Sequence, residues 1–207
     1  MLNKDKARIA VLVSGGGTNL QALIDSRKNG IINSGEITLV VSNKPGAYAL
    51  ERANNANIRT VVVNKKECAS QQEFEDKLIE VIDGDGIDII VLAGFMCILS
   101  ERFTKHYENR IINVHPSLIP SFCGEGYYGL RVHEAALKYG VKVSGATVHF
   151  VNEIPDGGRI IMQKAVEVKA DDTPETLQKR IMEEAEWKIL PLSCERVCSD
   201  YLKEKNN

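Results

Sequence analysis

The stretch ARIAVLVSGGGTN, residues 7–19, decides the fold class of this 207-residue chain. Its first part, Ile9 to Val13, is apolar throughout, which is typical of a parallel strand covered on both faces. The strand runs directly into the glycines Gly15 to Gly17, after which apolar residues recur at helical spacing up to Ile24. A strand, a glycine turn and a helix in this order predict the first unit of an α/β fold.

The same alternation continues to about Ser121. Short apolar runs at residues 37–41, 60–63, 89–93 and 111–114 predict four further strands. Helices are expected between them. After Gly140 the runs are longer, at 141–151 and 159–168, and a turn-rich loop separates them. Thr173 then reads as the N-cap of a last helix that begins with proline. We therefore expect one α/β domain: a Rossmann-like open twisted sheet, mostly parallel with antiparallel strands in the C-terminal part, and helices on both faces.

Composition favours a soluble protein that acts on small molecules. The chain is 43% apolar and 26% charged, with a formal net charge of -2, so a nucleic-acid or membrane-surface partner is not expected. No long apolar stretch follows the charged start Met1 to Arg8, and no run is long enough to span a bilayer, which predicts a cytoplasmic location. An odd number of cysteines without a C-x-x-C pair argues against disulfides or zinc.

The glycine loop indicates an anion site. Glycines allow close backbone approach, and the following helix offers unpaired N–H groups and a partial positive charge. Leu20 breaks the dinucleotide pattern G-x-G-x-x-G, and no P-loop lysine follows Thr18, which is expected to cap the helix. The alternative is that a tight strand-to-helix turn simply needs glycines.

A polar pair closes the fifth predicted strand. Alternation puts Asn113 and His115 on one face, and both side chains suit a developing oxyanion: the amide of Asn113 as a donor, and His115 when it is protonated. Acyl transfer to an amine would also need proton movement, for which Asp156, in a Pro-Asp-Gly-Gly turn, is the candidate; a nearby carboxylate would raise the pKa of His115. His149 is expected to shape the site, whereas His133 reads as a cap or surface residue. The alternative is that the histidines are structural residues and that Asp156 only forms a turn.

These motifs together resemble the phosphoribosylglycinamide formyltransferase family, within the folate-dependent formyltransferase superfamily. The matching segments, quoted in chain order, are Ser14-Gly15-Gly16-Gly17-Thr18-Asn19-Leu20-Gln21, Val41-Ser42-Asn43-Lys44, Val91-Leu92-Ala93-Gly94-Phe95-Met96, Ile98-Leu99-Ser100, Asn113-Val114-His115-Pro116-Ser117-Leu118, Val148-His149-Phe150-Val151 and Asp156-Gly157-Gly158. They span nearly the whole chain. The resemblance implies transfer of the formyl group of 10-formyltetrahydrofolate to the amine of glycinamide ribonucleotide in purine biosynthesis, without a metal, by a monomer or homodimer.

The resemblance also implies a role for each site residue. Asn113, His115 and Asp156 would be catalytic. The substrate phosphate and ribose would be bound by Gly16, Gly17, Thr18, Asn19 and Glu186. Folate would be gripped, largely by backbone groups, at Met96, Cys97, Ile98, Leu99, Val151, Asn152, Glu153, Ile154 and Pro155. A nucleotide-phosphate half, residues 1–110, would precede a folate-binding and catalytic half, residues 111–207.

Three features depart from the family pattern. The segment 121–128 is several residues longer than usual and follows the catalytic strand. Cys97 stands where an arginine is common, and Gln71 where a basic residue often helps to hold the phosphate.

Other functions remain open from the sequence. A formyltransferase acting on methionyl-tRNA or a sugar nucleotide usually adds a C-terminal domain, and a formyltetrahydrofolate hydrolase adds an N-terminal one, for which a first strand at Ile9 leaves no room. A nucleotide-dependent oxidoreductase is disfavoured by the glycine spacing. A non-catalytic nucleotide-binding protein would keep the loop but need not keep the three catalytic residues together.

Overall fold

The computed structural model describes residues 6–206, so most of the charged start on which the prediction of a cytoplasmic location partly rests lies outside the described residues. The described residues fold around one β-sheet. Its strands are β1 (Ala7–Val13), β2 (Gly35–Ser42), β3 (Arg59–Val62), β4 (Ile89–Leu92), β5 (Ile111–His115), β6 (Val143–Phe150) and β7 (Ile160–Glu167). Their order is β3-β2-β1-β4-β5-β6-β7.

The helices alternate with the strands. They are α1 (Thr18–Lys28), α2 (Tyr48–Asn55), α3 (Gln71–Gly84), α4 (Glu101–His106), α5 (Leu130–Tyr139), α6 (Pro174–Ile181) and α7 (Trp187–Lys205). Within residues 6–206, no helix is both long and apolar enough to pass through a bilayer.

The predicted fold class is confirmed. Strands β1 to β5 pair in parallel, whereas β6 pairs antiparallel with both β5 and β7. The connection from β5 to β6 passes through α5, whereas a short loop joins β6 to β7 as a hairpin, the connection that antiparallel neighbours allow. The observed β6 and β7 are slightly shorter than the apolar runs that predicted them.

Two apolar clusters cover the two faces of the sheet, as expected for a parallel sheet with helices on both sides. One joins alternate strand residues to α1, α2, α6 and α7. The other lies under α3 and α4, and includes Phe74, Leu78 and Ile111. Alternation along β5 therefore puts Asn113 and His115 on the same face as Ile111.

The last helical region differs from the single helix that the apolar spacing suggested. Thr173 caps α6 as predicted, with the Thr173 hydroxyl accepting from the Thr176 N–H at 3.3 Å. A π-helical turn, Met182–Glu186, then separates α6 from α7. Because such a turn adds one residue to the helical repeat, it rotates the following side chains relative to a regular helix, a feature frequent at functional sites.

We predict that Leu78→Ala lowers the free energy of unfolding by about 2–5 kcal/mol, since it removes a fully buried side chain from the cluster under α3. Ile79→Ala is the matched control, because Ile79 on the same helix is only partly buried and should cost less. Urea unfolding followed by circular dichroism measures both, and equal losses would contradict the assigned packing.

Candidate active site

The site lies at the carboxyl ends of the parallel strands. The glycine loop follows β1, and Asn113 and His115 are the last polar side chains of β5, with β4 between the two strands. Parallel strands end at one edge of the sheet, which is where open α/β folds bind their ligands. The structure therefore brings the predicted phosphate loop and the predicted catalytic pair to the same edge.

The loop is held by close backbone contact. A Cβ on Gly17, whose φ is +72°, would lie 2.6 Å from the Cβ of Ala49 in α2, and the Ala49 N–H donates to the Gly15 carbonyl at 3.0 Å. Gly17 itself is the N-cap of α1 and offers no side chain. The expectation that Thr18 caps this helix is wrong: Thr18 is its first residue. The open N-terminal N–H groups suit an anion.

Glu186 reaches this loop from the other end of the chain. The amide of Asn19 donates to the carboxylate of Glu186 at 2.7 Å. The π-helical turn positions Glu186, which is almost fully buried. Burial raises the pKa of Glu186 to about 7, and the hydrogen bond from Asn19 only partly opposes this rise. The predicted phosphate-binding and ribose-binding residues are thus neighbours.

The predicted catalytic residues meet in one polar network. The Nδ1 atom of His115 lies 3.4 Å from Oδ2 of Asp156, and Nε2 of His149 lies 3.5 Å from Oδ1 of the same carboxylate. Asn113, which faces His149 in the pairing of β5 with β6, places its Nδ2 atom 3.2 Å from Nε2 of His149. His149 therefore links Asn113 to Asp156, a more central position than the sequence indicated.

Backbone carbonyls fix the tautomers of the two histidines. Nδ1 of His149 donates to the Phe150 carbonyl at 2.8 Å, which leaves Nε2 as the acceptor for the Asn113 amide. Nε2 of His115 donates to the Phe122 carbonyl at 2.8 Å, which leaves Nδ1 facing Asp156. These assignments follow from the acceptors, since a carbonyl oxygen accepts only from a protonated nitrogen.

Burial and charge shift the pKa values in this network. Burial lowers the pKa of His115. The charge of Asp156 raises it, as expected of a nearby carboxylate, and so does the Phe122 carbonyl, but burial outweighs both and the net shift is downward. Burial of Asp156 would raise its pKa, but the contact with His149, the charge that His115 carries when protonated and the Gly124 N–H together hold it below the ordinary value. The resting pair is a neutral imidazole beside a carboxylate.

The loop that carries Asp156 is a strained turn. Asp156 has φ +57°, an uncommon conformation for a residue with a side chain, and the Gly157 N–H donates to the Ile154 carbonyl at 2.9 Å. A Cβ on Gly158 would lie 1.7 Å from the Phe150 carbonyl oxygen, the acceptor for His149. Glycine is therefore needed at 158 for the loop to return to β6.

Two site features were not found from the sequence. His133, expected at the surface, is fully buried on α5, and burial followed by the charge of His115 lowers its pKa to about 4. The backbone of Phe122 and Gly124 also enters the site, with the Gly124 N–H donating to Asp156 Oδ2 at 2.9 Å. Backbone groups carry no residue signal, although the unusual length of segment 121–128 drew attention to it.

The two segments predicted to bind folate expose apolar side chains. Met96, Ile98 and Ile154 are 53%, 63% and 58% exposed, whereas Cys97 and Val151 pack on the cluster under α3 and α4. Both segments therefore flank the sheet face that carries Asn113 and His115. Exposed apolar groups beside a polar network suit a flat, largely apolar ligand.

Gln71 and Cys97, the departures from the family pattern, have definite partners. The amide of Gln71 donates to the Ile98 carbonyl at 3.0 Å and to Glu75 at 2.7 Å, so Gln71 supports the segment Met96 to Leu99. Cys97 accepts from the Asn43 amide at 3.0 Å. Across residues 6–206, no group of three or more His, Cys, Asp or Glu side chains is arranged to hold a metal ion.

Comparison with known proteins agrees with this geometry. The model of the family described as Formyl transferase matches residues 7–193. The chain belongs to the formyl transferase family. The match covers both the glycine loop and the π-helical turn with Glu186, so the family assignment extends over every element of the site.

Individual relatives are similar over nearly the whole chain. The phosphoribosylglycinamide formyltransferase of Haemophilus influenzae is 40% identical over 200 residues, 97% of this chain and 91% of that protein. The trifunctional purine biosynthetic protein adenosine-3 of Homo sapiens is 46% identical over 95% of this chain, which spans only 19% of that protein. The crystal structure of glycinamide ribonucleotide transformylase 1 from Symbiobacterium toebii has a TM-score of 0.89 at 39% identity, over 96% of this chain and 90% of that one.

We predict that Gly158→Ala lowers turnover by roughly 10²-fold. The added Cβ would push the turn away from the Phe150 carbonyl and shift Asp156, and a displacement of about 1 Å at a catalytic group has that order of effect. Gly84→Ala, at the end of α3, is the control: its Cβ would meet nothing within 4 Å. Steady-state kinetics with circular dichroism as a folding check measures both. Unchanged turnover in Gly158→Ala would show that the turn is not needed.

We also predict that Glu186→Gln alters the pH dependence of stability. A raised carboxyl pKa contributes stability below the unfolded value near 4.5 that is lost as pH rises through the folded value near 7. The wild-type protein should therefore lose up to about 3 kcal/mol of unfolding free energy across this range relative to the glutamine variant. Urea titrations at pH 5 and pH 8 test this, and parallel pH profiles of the two proteins would contradict it.

Proposed function

We propose that the protein transfers the formyl group of 10-formyltetrahydrofolate to the amine of glycinamide ribonucleotide, a step of purine biosynthesis. The observation that carries this proposal is the network in which Asp156 contacts both His115 and His149, with Asn113 completing it. Acyl transfer between two nitrogens needs an oxyanion donor and a group that moves a proton, and this network offers both.

The acceptor nucleotide fits the glycine loop and its neighbours. Gly16, Gly17, Thr18 and Asn19 form the start of α1, where N–H groups favour a phosphate. Glu186 is held beside this loop by Asn19, and its carboxylate would accept a hydrogen bond from a ribose hydroxyl next to that phosphate. The nucleotide site thus draws on both of the predicted halves of the chain, residues 1–110 and 111–207.

The formyl donor fits the exposed apolar segments. Residues Met96 to Leu99 and Val151 to Pro155 flank the face of the sheet that carries Asn113. A pterin ring packed there would present its formyl group to the network, and the backbone groups of both segments would bind its polar edge. The proposal keeps the cytoplasmic location that composition favours.

Direct attack of the amine on the formyl group accounts for every bond and proton without a covalent enzyme intermediate. The amine nitrogen of the nucleotide attacks the formyl carbon, and the carbonyl oxygen becomes an oxyanion. Asn113 donates one amide hydrogen to His149 and has a second hydrogen for that oxyanion. His115 takes the proton from the amine, Asp156 stabilises the imidazolium, and the proton is delivered to N10 of the folate as the carbon–N10 bond breaks.

A formyl-transfer assay tests the proposal. Purified protein is incubated with 10-formyltetrahydrofolate, with and without glycinamide ribonucleotide, and release of tetrahydrofolate is followed. Release that depends on the nucleotide is expected. Release without it would identify a hydrolase, and no release in either case, with nucleotide binding intact, would support a non-catalytic binding protein.

We predict that Asp156→Asn lowers kcat by on the order of 10²-fold or more while the nucleotide KM changes little, because the amide cannot stabilise an imidazolium by charge. Asp76→Asn is the control, since Asp76 is an exposed residue of α3 that pairs with Arg102. Initial rates across both substrate concentrations separate the two parameters. A loss confined to KM would contradict the proton-transfer role.

A further inference from the structure

The enlarged segment 121–128 contacts both members of the proton-transfer pair. The Phe122 carbonyl accepts the Nε2 hydrogen of His115 at 2.8 Å, and the Gly124 N–H donates to Oδ2 of Asp156 at 2.9 Å. Two backbone groups of one segment, two residues apart, therefore bind the imidazole and the carboxylate. Neither contact uses a side chain of the segment.

The segment is itself held in place. The Ser117 hydroxyl donates to the Ser121 carbonyl at 2.6 Å, and the Phe122 ring packs edge-on against Tyr127 and Tyr139 at centroid distances of 6.4 Å and 6.0 Å. Phe122 has φ +50°, which aims its carbonyl at His115 in a conformation that a residue with a side chain seldom adopts. Strain of this kind persists where the surrounding contacts determine it.

The hydrogen bonds leave one ring nitrogen available. Nε2 of His115 is occupied by Phe122, whereas Nδ1 carries a lone pair 3.4 Å from Asp156, too long for a good hydrogen bond. A proton that arrives at Nδ1 would convert this gap into a charge-assisted hydrogen bond to the carboxylate. The network is thus complete only for the protonated imidazole, which is the state formed during proton transfer.

We propose that the segment 121–128 is a positioning element for catalysis: through the Phe122 carbonyl it holds His115 as the Nε2–H tautomer, so that Nδ1 is the nitrogen that takes the amine proton and returns it to N10. Phe122 is thus a positioning residue that acts through His115. This inference rests on the proposed formyl transfer, and it specifies the atom at which the proton moves.

The charged and titratable groups that face His115 come from three other elements. Asp156 lies on the β6–β7 loop and raises the His115 pKa, His149 on β6 lowers it, and His133 faces it from α5. The Phe122 carbonyl also raises this pKa. Loss of that carbonyl should therefore lower the pKa of His115 and move the acid limb of the rate profile, which requires neutral His115, to lower pH.

Phe122→Pro and Phe122→Asn form the test pair. Proline fixes φ near -65° and cannot hold the observed backbone, whereas asparagine tolerates positive φ and keeps the carbonyl while losing the ring. We expect Phe122→Pro to lower kcat on the order of 10²-fold with small changes in either KM, and to shift the acid limb downward. Phe122→Asn loses the ring packing but keeps the carbonyl, so it should lower kcat less than Phe122→Pro and keep the wild-type pH profile.

Nitrogen-15 NMR of histidine-labelled wild-type protein tests the tautomer without relying on activity or on the Phe122 variants. The chain has four histidines, so His115→Gln assigns the His115 signals. At pH 8 we expect His115 to have a protonated Nε2 and an unprotonated Nδ1. The same tautomer is expected in the ligand-free protein and in the dead-end complex with glycinamide ribonucleotide and tetrahydrofolate. An unprotonated Nε2 in the ligand-free protein or in the complex would overturn the proposal. An unchanged kcat and pH profile in a folded Phe122→Pro variant would also overturn it. Absence of transfer activity with the expected tautomer would instead reject the proposed function alone.

Discussion

One largely buried carboxylate orders this site. Two imidazole nitrogens and one backbone N–H face the charge of Asp156. Removing a carboxylate from water is costly unless it is hydrogen-bonded. In the resting site the Gly124 N–H supplies that bond, whereas the facing nitrogens of His115 and His149 carry lone pairs and pair with the charge only when protonated. All three partners nevertheless surround the carboxylate. They come from β5, β6 and the 121–128 segment. The constraint therefore joins the last parallel strand, the first antiparallel strand and two loops into one unit.

Close backbone approach makes that unit possible. Gly158 lets the Asp156 loop return against the Phe150 carbonyl, and Gly17 lets the phosphate-type loop lie against Ala49. In both places an added methyl group would overlap an atom already present, and Gly17 has positive φ as well. Because the chain packs this closely, backbone groups rather than long side chains surround His115, His149 and Asp156. Backbone donors and acceptors on a packed scaffold are preorganised, which is what stabilisation of a transient charge requires.

Two segments far apart in the sequence meet at the side of the site that is proposed to bind the nucleotide. Asn19 follows the first strand and Glu186 precedes the last helix, and their hydrogen bond spans almost the whole sequence. The π-helical turn is the local device that positions Glu186, while the residues around it continue to pack on the sheet. Glu186 is consequently buried with a raised pKa, so the nucleotide recognition proposed for it and the pH dependence of stability would share one ionisable group.

The sequence by itself determined the fold class and the identity of the polar residues. Apolar runs such as Ile9 to Val13 predict buried strands because their periodicity reflects local geometry, and the order of Asn113, His115 and Asp156 indicated formyl transfer by resemblance. Only the tertiary structure decided the central place of His149, the buried position of His133, the sign of the His115 pKa shift and the role of the Phe122 carbonyl. These depend on distances between distant segments and on exclusion of water, which no local pattern of residues records.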